Sequence, residues 1–319
     1  MTKVLANDGI SQLGIDTLES AGFEVITQKV AQEQLANVIN EKNISVLLVR
    51  SATTAKKELI DACPNLKMIG RGGVGMDNID VDYAKSKGLE VVNTPAASSE
   101  SVAELVFSHL FNMVRFVYDS NRQMPLEGDS KFKELKKAYA KGTELKGKTL
   151  GIIGFGRIGQ NTAKYAIGSG MNILAYDPFM EKASIEMDIA KQKIEVTIDT
   201  SSMEELLSNS DFISLHVPMP KDGNAIIGNK EFEKMKDGVR IVNAARGGVI
   251  DEQALINALQ SNKVSFAALD VFVGEPKPSK DLLNNEKISL TPHIGAATLE
   301  AQDRIGEELA QKIITFYKK

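Results

Sequence analysis

Three histidines are the side chains of this sequence that ordinarily titrate near neutral pH, so candidates for proton transfer can be taken one at a time. His293 follows Ser289-Leu290-Thr291-Pro292 and precedes Ile294-Gly295-Ala296-Ala297, so a proline and a glycine set it in a loop after a strand. Alone, a histidine there is an ordinary polar loop residue. Two other strand ends give it company. Val242-Asn243-Ala244-Ala245-Arg246-Gly247-Gly248 carries an arginine beside two glycines, and the run from Ala268 through Asp270 to Glu275-Pro276 brings an acid into a turn. Arg246 and Glu275 taken singly read as solvated loop charges. Together the three fit oxidation of an alcohol to a ketone, which needs a base for the hydroxyl proton, a cation for a substrate carboxylate and an acceptor for hydride. A carboxylate beside a histidine favours its imidazolium form, and the planar fork of arginine makes two parallel hydrogen bonds to a carboxylate. His109 lies inside a long amphipathic stretch and reads as packed or surface-facing. His216 ends the strand Ile213-Ser214-Leu215, where it reads as a neighbour of a bound nucleotide rather than as a base.

The hydride acceptor has its own signature. Lys148-Thr149-Leu150-Gly151-Ile152-Ile153 reads as a buried strand, Gly154-Phe155-Gly156-Arg157-Ile158-Gly159 follows at once, and a helical pattern runs on through Ala163 and Ala166. In that setting Gly154 makes the tight turn, Gly156 lets a pyrophosphate approach the backbone, and Gly159 allows close helix-to-strand packing. The pyrophosphate would sit on the N-terminus of the helix beginning at Arg157 and Ile158, facing its free N–H groups. The next strand ends in Asp177, 18 residues past the last glycine, near the offset of about 20 for the acid that binds the adenosine ribose. A carboxylate there repels a 2′-phosphate and Pro178-Phe179 supplies no arginine, so the cofactor expected is NAD rather than NADP.

These residues need a frame, and the patterning supplies one. Short β-branched runs alternate with amphipathic charged stretches, which predicts βαβ units and parallel sheets. Strands are predicted at 3–6, 24–27, 44–49, 67–70 and 90–92, and in a second set at 150–154, 172–176, 212–217, 240–243, 265–269 and 288–290. A long helix opens near Ser99, a Lys-rich segment over 123–148 shows no clear period, and an amphipathic helix over 299–317 closes the chain. At 319 residues the chain predicts two domains. With 43% hydrophobic and 25% charged residues it is of ordinary globular composition. A net charge of −4 without a basic block argues against nucleic acid or an anionic membrane as partner. The lone Cys63 permits neither an internal disulfide nor a thiol metal knuckle, and no signal-peptide core or membrane span is visible; a cytoplasmic, metal-free protein is expected.

The glycine motif with Asp177, the segment 243–248, the run 270–276 and Thr291-Pro292-His293-Ile294-Gly295 together resemble the NAD-dependent D-2-hydroxyacid dehydrogenase family over essentially the whole chain. The resemblance implies that Arg246 orients and polarises a 2-keto acid, that His293 is the acid–base group and that Glu275 supports it. It also implies that Ser99, Ala244, Asp270 and Gly295, with Val217 and Pro218 beside His216, border the dinucleotide. Within the family, Val49-Arg50-Ser51-Ala52-Thr53, the run from Gly70 to Asp80, Asn93-Thr94-Pro95 and 98–104 look most like the phosphoglycerate dehydrogenase branch. Arg50 ends a buried strand, and Arg71-Gly72-Gly73-Val74 offers a cation plus backbone N–H groups, so Arg50, Ser51 and 71–74 are expected to hold a phosphate or a carboxylate.

One departure stands out: many members carry a Trp and an Arg before the stretch matching Gly142-Thr143-Glu144-Leu145, whereas this chain has no Trp and places Lys136-Lys137 there. A substrate contact reaching the partner subunit is therefore not carried over. The chain also stops just after its closing helix, without the regulatory domain of some longer members, so serine feedback through such a domain is not expected.

The expected fold is α/β with two doubly wound parallel-sheet domains. A Rossmann NAD domain would span 98–292, and a flavodoxin-like substrate domain would join 1–97 to 293–319, with hinges near 95–97 and Pro292 whose closure excludes water. By resemblance the protein is a homodimer acting on a small 2-hydroxy or 2-keto acid that is phosphorylated. Two alternatives stay open: glyoxylate or hydroxypyruvate reduction by the same chemistry, and an NADH-sensing protein like the family's corepressors.

Overall fold

In the computed structural model, which describes residues 1–220 and 222–318, the apolar runs form two parallel sheets, each in its own unit. One unit comprises Met1–Ser101 with Ala296–Lys319 and the other Val102–Gly295.

The first unit holds β1 (Lys3–Ala6), β2 (Glu24–Ile26), β3 (Val46–Val49), β4 (Met68–Arg71) and β5 (Glu90–Asn93), in the order β2-β1-β3-β4-β5. That is the flavodoxin-like order, and it needs apolar residues on both faces of every central strand. Leu5, Leu47, Val49 and Ile69 pack on one face. Val4, Val46, Leu48 and Met68 pack on the other, against Ile305, Leu309 and Ile313 of the closing helix Leu299–Tyr317. This helix meets the helix Gln12–Ser20 where Gly14 faces Gly306; a Cβ on Gly14 would stand 2.9 Å from the Gly306 backbone. Both ends of the chain thus build one core. Cys63 is buried there, and burial pushes its thiol up to about 11, which leaves it inert.

The second unit holds β6 (Thr149–Ile153), β7 (Asn172–Tyr176), β8 (Lys182–Ile189), β9 (Gln192–Asp199), β10 (Phe212–Leu215), β11 (Val239–Asn243), β12 (Val264–Leu269) and β13 (Ile288–Leu290). Six of them form a parallel sheet in the order β13-β12-β11-β10-β6-β7. In a six-stranded dinucleotide fold one further strand would flank β7. Here that position shrinks to a single parallel bridge, Ala175 to Thr200. The chain that leads to it forms instead the antiparallel hairpin β8–β9, which the sequence reading left unassigned. Its inner residues alternate with a period of two: Ile185 and Met187 are buried, and Val196 and Ile198 pack beside Ile185. Its turn residues Ala190 and Lys191 both have positive φ, 49° and 67°, the geometry of a two-residue hairpin turn without the usual Asn-Gly signal.

The segment 123–148 also differs from expectation. It is not aperiodic: helices Val117–Glu127 and Phe132–Ala138 occupy most of its first half. Their short apolar stripes, with Leu135 the buried anchor, are too sparse to register against so many lysines. Among the described residues no helix is long and apolar enough to cross a membrane.

Candidate active site

The register of the second sheet decides where the site lies. Tyr176, Ile153, Leu215, Asn243, Leu269 and Leu290 form one row across six parallel strands. The residue after each of them starts a loop on the same carboxyl edge: Asp177, Gly154, His216, Ala244, Asp270 and Thr291. Motifs up to 137 residues apart, Gly154 to Thr291, therefore open side by side, at the edge where doubly wound sheets bind ligands.

At the switch point β6 turns into the helix Arg157–Gly168, with Gly156 as its N-cap. Gly154 has φ +90°, and a Cβ there would come 2.6 Å from the His216 carbonyl, so the β6 and β10 loops touch through a glycine. A Cβ on Gly159 would run into the Gly154 carbonyl oxygen, whereas one on Gly156 would meet nothing within 4 Å. The open space thus lies over the helix N-terminus, where Arg157 and Ile158 start the first turn. Asp177 is tied into this turn: its Oδ2 accepts from Phe155 N at 2.9 Å and its Oδ1 from Phe179 N at 2.9 Å. His216 bonds Ser214 Oγ through Nε2 at 2.9 Å, and burial pushes its ring down to about 3, so it stays neutral and serves no acid–base step at ordinary pH. Its buried Nδ1 has no partner among the described residues. Val217 and Pro218 follow it on the same edge. The open cradle at Gly156 and this unpartnered nitrogen both fit a dinucleotide.

Farther along the edge His293 meets Glu275. His293 Nδ1 lies 2.8 Å from Glu275 Oε2, and Glu275 Oε1 accepts from Phe272 N at 2.9 Å, so the carboxylate is held while it grips the ring. Both side chains keep about a third of their surface in contact with solvent, His293 38% and Glu275 34%. With Nδ1 engaged, Nε2 is the nitrogen available to a substrate. Arg246 is shaped by its own loop: Asn243 Nδ2 donates to Arg246 O at 2.8 Å, and Arg246 Nη1 to Ala245 O at 2.6 Å. A Cβ on Gly247 would collide with the Phe272 carbonyl, so this glycine lets the Arg246 loop pack against the segment leading to Glu275. Arg246, Glu275 and His293 all belong to the second unit.

Asp270 shows something the sequence reading missed. It is 1% exposed, Oδ1 accepts from Ile294 N at 2.8 Å and from Thr291 Oγ1 at 2.6 Å, and Oδ2 accepts from Gly295 N at 2.9 Å. One carboxylate therefore grips the His293 loop on both sides of the histidine. Its place one residue past the β12 row was a visible signal; the three donors were not, because they come from residues 21 to 25 positions away.

The remaining predicted residues lie in the first unit. Ser99 opens the helix Ser99–Arg115, is buried, and donates from Oγ to Pro95 O at 3.3 Å. Arg50 and Arg71 stand at the carboxyl ends of β3 and β4, with Ser51 and Val74 exposed beside them. Asp8 organises this edge by accepting from Arg50 N at 2.6 Å and from Thr53 N at 3.0 Å. Burial lowers the proton affinity of the Arg50 guanidinium and Asp8 raises it again, which leaves it charged. The N–H groups of Gly72 and Gly73 are not available to an anion as expected: they donate to Val49 O at 2.9 Å and to Thr94 Oγ1 at 2.8 Å. The β3–β4 register carries the ladder one residue past the strand to Gly72, and the Thr94 hydroxyl after β5 takes the Gly73 N–H. An anion held here would rest on groups other than these two N–H donors.

Residues 107–295 match the family model described as D-isomer specific 2-hydroxyacid dehydrogenase, NAD binding domain.

The chain belongs to that family.

It is 45% identical over 294 residues to a hydroxypyruvate reductase of Thermotoga maritima, covering 91% of this chain and 90% of that protein. It is 40% identical to a D-3-phosphoglycerate dehydrogenase of Archaeoglobus fulgidus over 99% of this chain, which spans 57% of that protein's length. The crystal structure of a cofactor (NAD+) bound 3-phosphoglycerate dehydrogenase of Entamoeba histolytica matches with a TM-score of 0.77 and 29% identity, over 100% of this chain and 96% of that one. The two parallel-sheet domains expected from the alternating pattern are thus those of the family, and the cofactor of its NAD-binding domain is NAD.

Proposed function

We propose that this 2-hydroxyacid dehydrogenase oxidises D-3-phosphoglycerate to 3-phosphohydroxypyruvate with NAD, the reaction that opens serine synthesis. The observation that carries the reading is the His293–Glu275 pair at 2.8 Å, on the same sheet edge as Arg246 and the open glycine turn. In this reading Gly154, Gly156 and Gly159, the first turn at Arg157 and Ile158, and Asp177 hold the dinucleotide. His216, Val217, Pro218, Ala244 and Gly295 border it. NAD, when bound, supplies the hydride acceptor. Arg246 orients the substrate by its carboxylate and polarises the 2-oxygen. His293 Nε2 takes the hydroxyl proton during oxidation and returns it during reduction, and Glu275, accepting from Nδ1, stabilises the imidazolium formed. The phosphate falls to Arg50 and Arg71, which end adjacent strands, with Ser51 and Val74 beside them.

The second reading, hydroxypyruvate or glyoxylate reduction, is favoured by the 45% identity to the Thermotoga maritima protein. Arg50 separates the two. Arg50→Ala is expected to cost about 1.5–3 kcal/mol of transition-state binding with 3-phosphohydroxypyruvate, as for a hydrogen bond to a charged group, and little with hydroxypyruvate. The measurement is kcat/KM for NADH-dependent reduction of both ketones by wild type and variant. Equal losses on both, or a wild type that prefers hydroxypyruvate, would move the protein to the reductase reading.

A homodimer is the assembly we propose, with its contact on 111–132. Phe111, Val117, Tyr118, Leu126 and Phe132 are each 49–75% exposed within that short stretch, apolar surface that a second subunit would cover. Light scattering after gel filtration should give about twice the subunit mass of 34.7 kDa. Replacing Leu126 and Phe132 together by glutamate should bring it to the subunit mass. A cytoplasmic setting fits the single, buried thiol of Cys63.

A further inference from the structure

His109 is a buried histidine that proton transfer does not use. It is 3% exposed in the helix Ser99–Arg115, and both ring nitrogens are engaged: Nδ1 lies 3.0 Å from Ser289 Oγ and Nε2 lies 3.2 Å from Thr291 Oγ1. The direction of each bond follows from the ends of the chain they form. The Asp270 carboxylate accepts, so the Thr291 hydroxyl spends its one proton on Oδ1 at 2.6 Å. Thr291 Oγ1 must then accept from His109, which places the ring hydrogen on Nε2. At the other end Asn112 Nδ2 donates to Ser289 Oγ at 2.9 Å, so the serine proton points to Nδ1. A single neutral tautomer satisfies every group, and burial, which lowers the proton affinity of this ring, keeps it neutral.

The far end of this chain is the His293 loop. His293 has φ +55°, a left-handed conformation that a residue with a Cβ rarely adopts and that persists only where its surroundings impose it. Asp270 imposes it, through Thr291 before the histidine and the N–H groups of Ile294 and Gly295 after it.

We propose that His109 is a positioning residue: through Thr291 it orients the Asp270 carboxylate, and so holds His293 in the strained loop geometry that aims Nε2 at substrate. This rests on the reading of His293 as the acid–base group, and the order of dependence is Asn112 to Ser289 to His109 to Thr291 to Asp270.

The test is steady-state reduction of 3-phosphohydroxypyruvate and hydroxypyruvate with NADH by wild type, His109→Phe, His109→Gln, Thr291→Val and the double variant His109→Phe/Thr291→Val. NADH affinity is measured separately by fluorescence. Loosening a loop that carries the acid–base group should lower kcat of His109→Phe about tenfold or more, with KM and NADH affinity little changed. His109→Gln, which places a donor and an acceptor on one amide, should recover most of that loss. The double variant should lose no more than Thr291→Val alone, because both act through one hydrogen bond. If His109→Phe fails to fold, Ser289→Ala, which removes the hydroxyl that fixes the tautomer, should show the same kcat-specific loss. Unchanged kcat in an active enzyme, equal losses in His109→Phe and His109→Gln, or multiplying losses in the double variant would overturn the proposal alone. A wild type inactive on every 2-keto acid would overturn the dehydrogenase reading itself, and the proposal with it.

Discussion

His293→Ala is expected to lower turnover of the preferred 2-keto acid by about 10²–10⁴-fold, the span ordinarily lost with a positioned acid–base group, while NADH binds as in wild type. The separation of effects follows from the geometry. His293 is held through Nδ1 by Glu275 and through its backbone by Thr291 O, and neither contact touches the glycine turn over the helix Arg157–Gly168. Removing the imidazole takes away the proton donor of the reduction and leaves the cradle intact. Glu275→Gln should fall between wild type and His293→Ala, because an amide can still bond the ring but carries no charge to stabilise its imidazolium. Single-turnover NADH oxidation and NADH fluorescence titration, run on the same preparations, check both statements. Near-normal turnover in His293→Ala would remove the mechanism.

The second large effect separates two glycines three residues apart. Gly156→Ala adds a Cβ that meets nothing within 4 Å, so the fold should keep its melting temperature within a degree or two of wild type. That methyl occupies the approach to the helix N-terminus, and NADH affinity should fall by about tenfold, near 1.4 kcal/mol. Gly159→Ala adds a Cβ directed at the Gly154 carbonyl oxygen, a backbone atom that cannot swing away. The helix or the turn must move, at a cost of roughly 1–3 kcal/mol or more for an overpacked site. The turn that moves is the nucleotide site, so Gly159→Ala should lose both melting temperature and NADH binding. Thermal melts with and without NADH distinguish the two. A Gly156→Ala protein that binds NADH as wild type does would remove pyrophosphate from that helix terminus.

The glycine turn, Asp177, Arg246 and His293 were readable because each requirement is local: a tight turn, a helix N-terminus, an arginine or histidine fixed by its own glycine or proline. The hairpin β8–β9 was not, since Ala190 and Lys191 adopt positive φ without glycine or asparagine, and the period-two pattern of Ile185 and Met187 sits where a third strand would be expected. The expectation of free N–H groups at Gly72 and Gly73 failed for a related reason. A glycine shows that backbone is uncovered, but the strand register at Gly72 and the Thr94 hydroxyl at Gly73 determine that these N–H groups are already spent.

Sequence alone therefore determined the βαβ alternation, the glycine turn between strand and helix, and the residue types that the proposed hydride and proton transfer would use, because propensity, turn chemistry and charge act over a few residues. Tertiary structure decided what depends on register between distant strands. The row through Ile153, Leu215, Asn243, Leu269 and Leu290 brings Glu275 to His293, Asp270 to both sides of the His293 loop, and His109 to Thr291 across 182 residues. Those contacts are hydrogen bonds of 2.6 to 3.2 Å, and a shift of one residue between β12 and β13, about 3.3 Å, would break the bond from Thr291 to Asp270. The buried apolar faces of the sheet forbid that shift, and so the packing of the core sets the geometry of the chemistry.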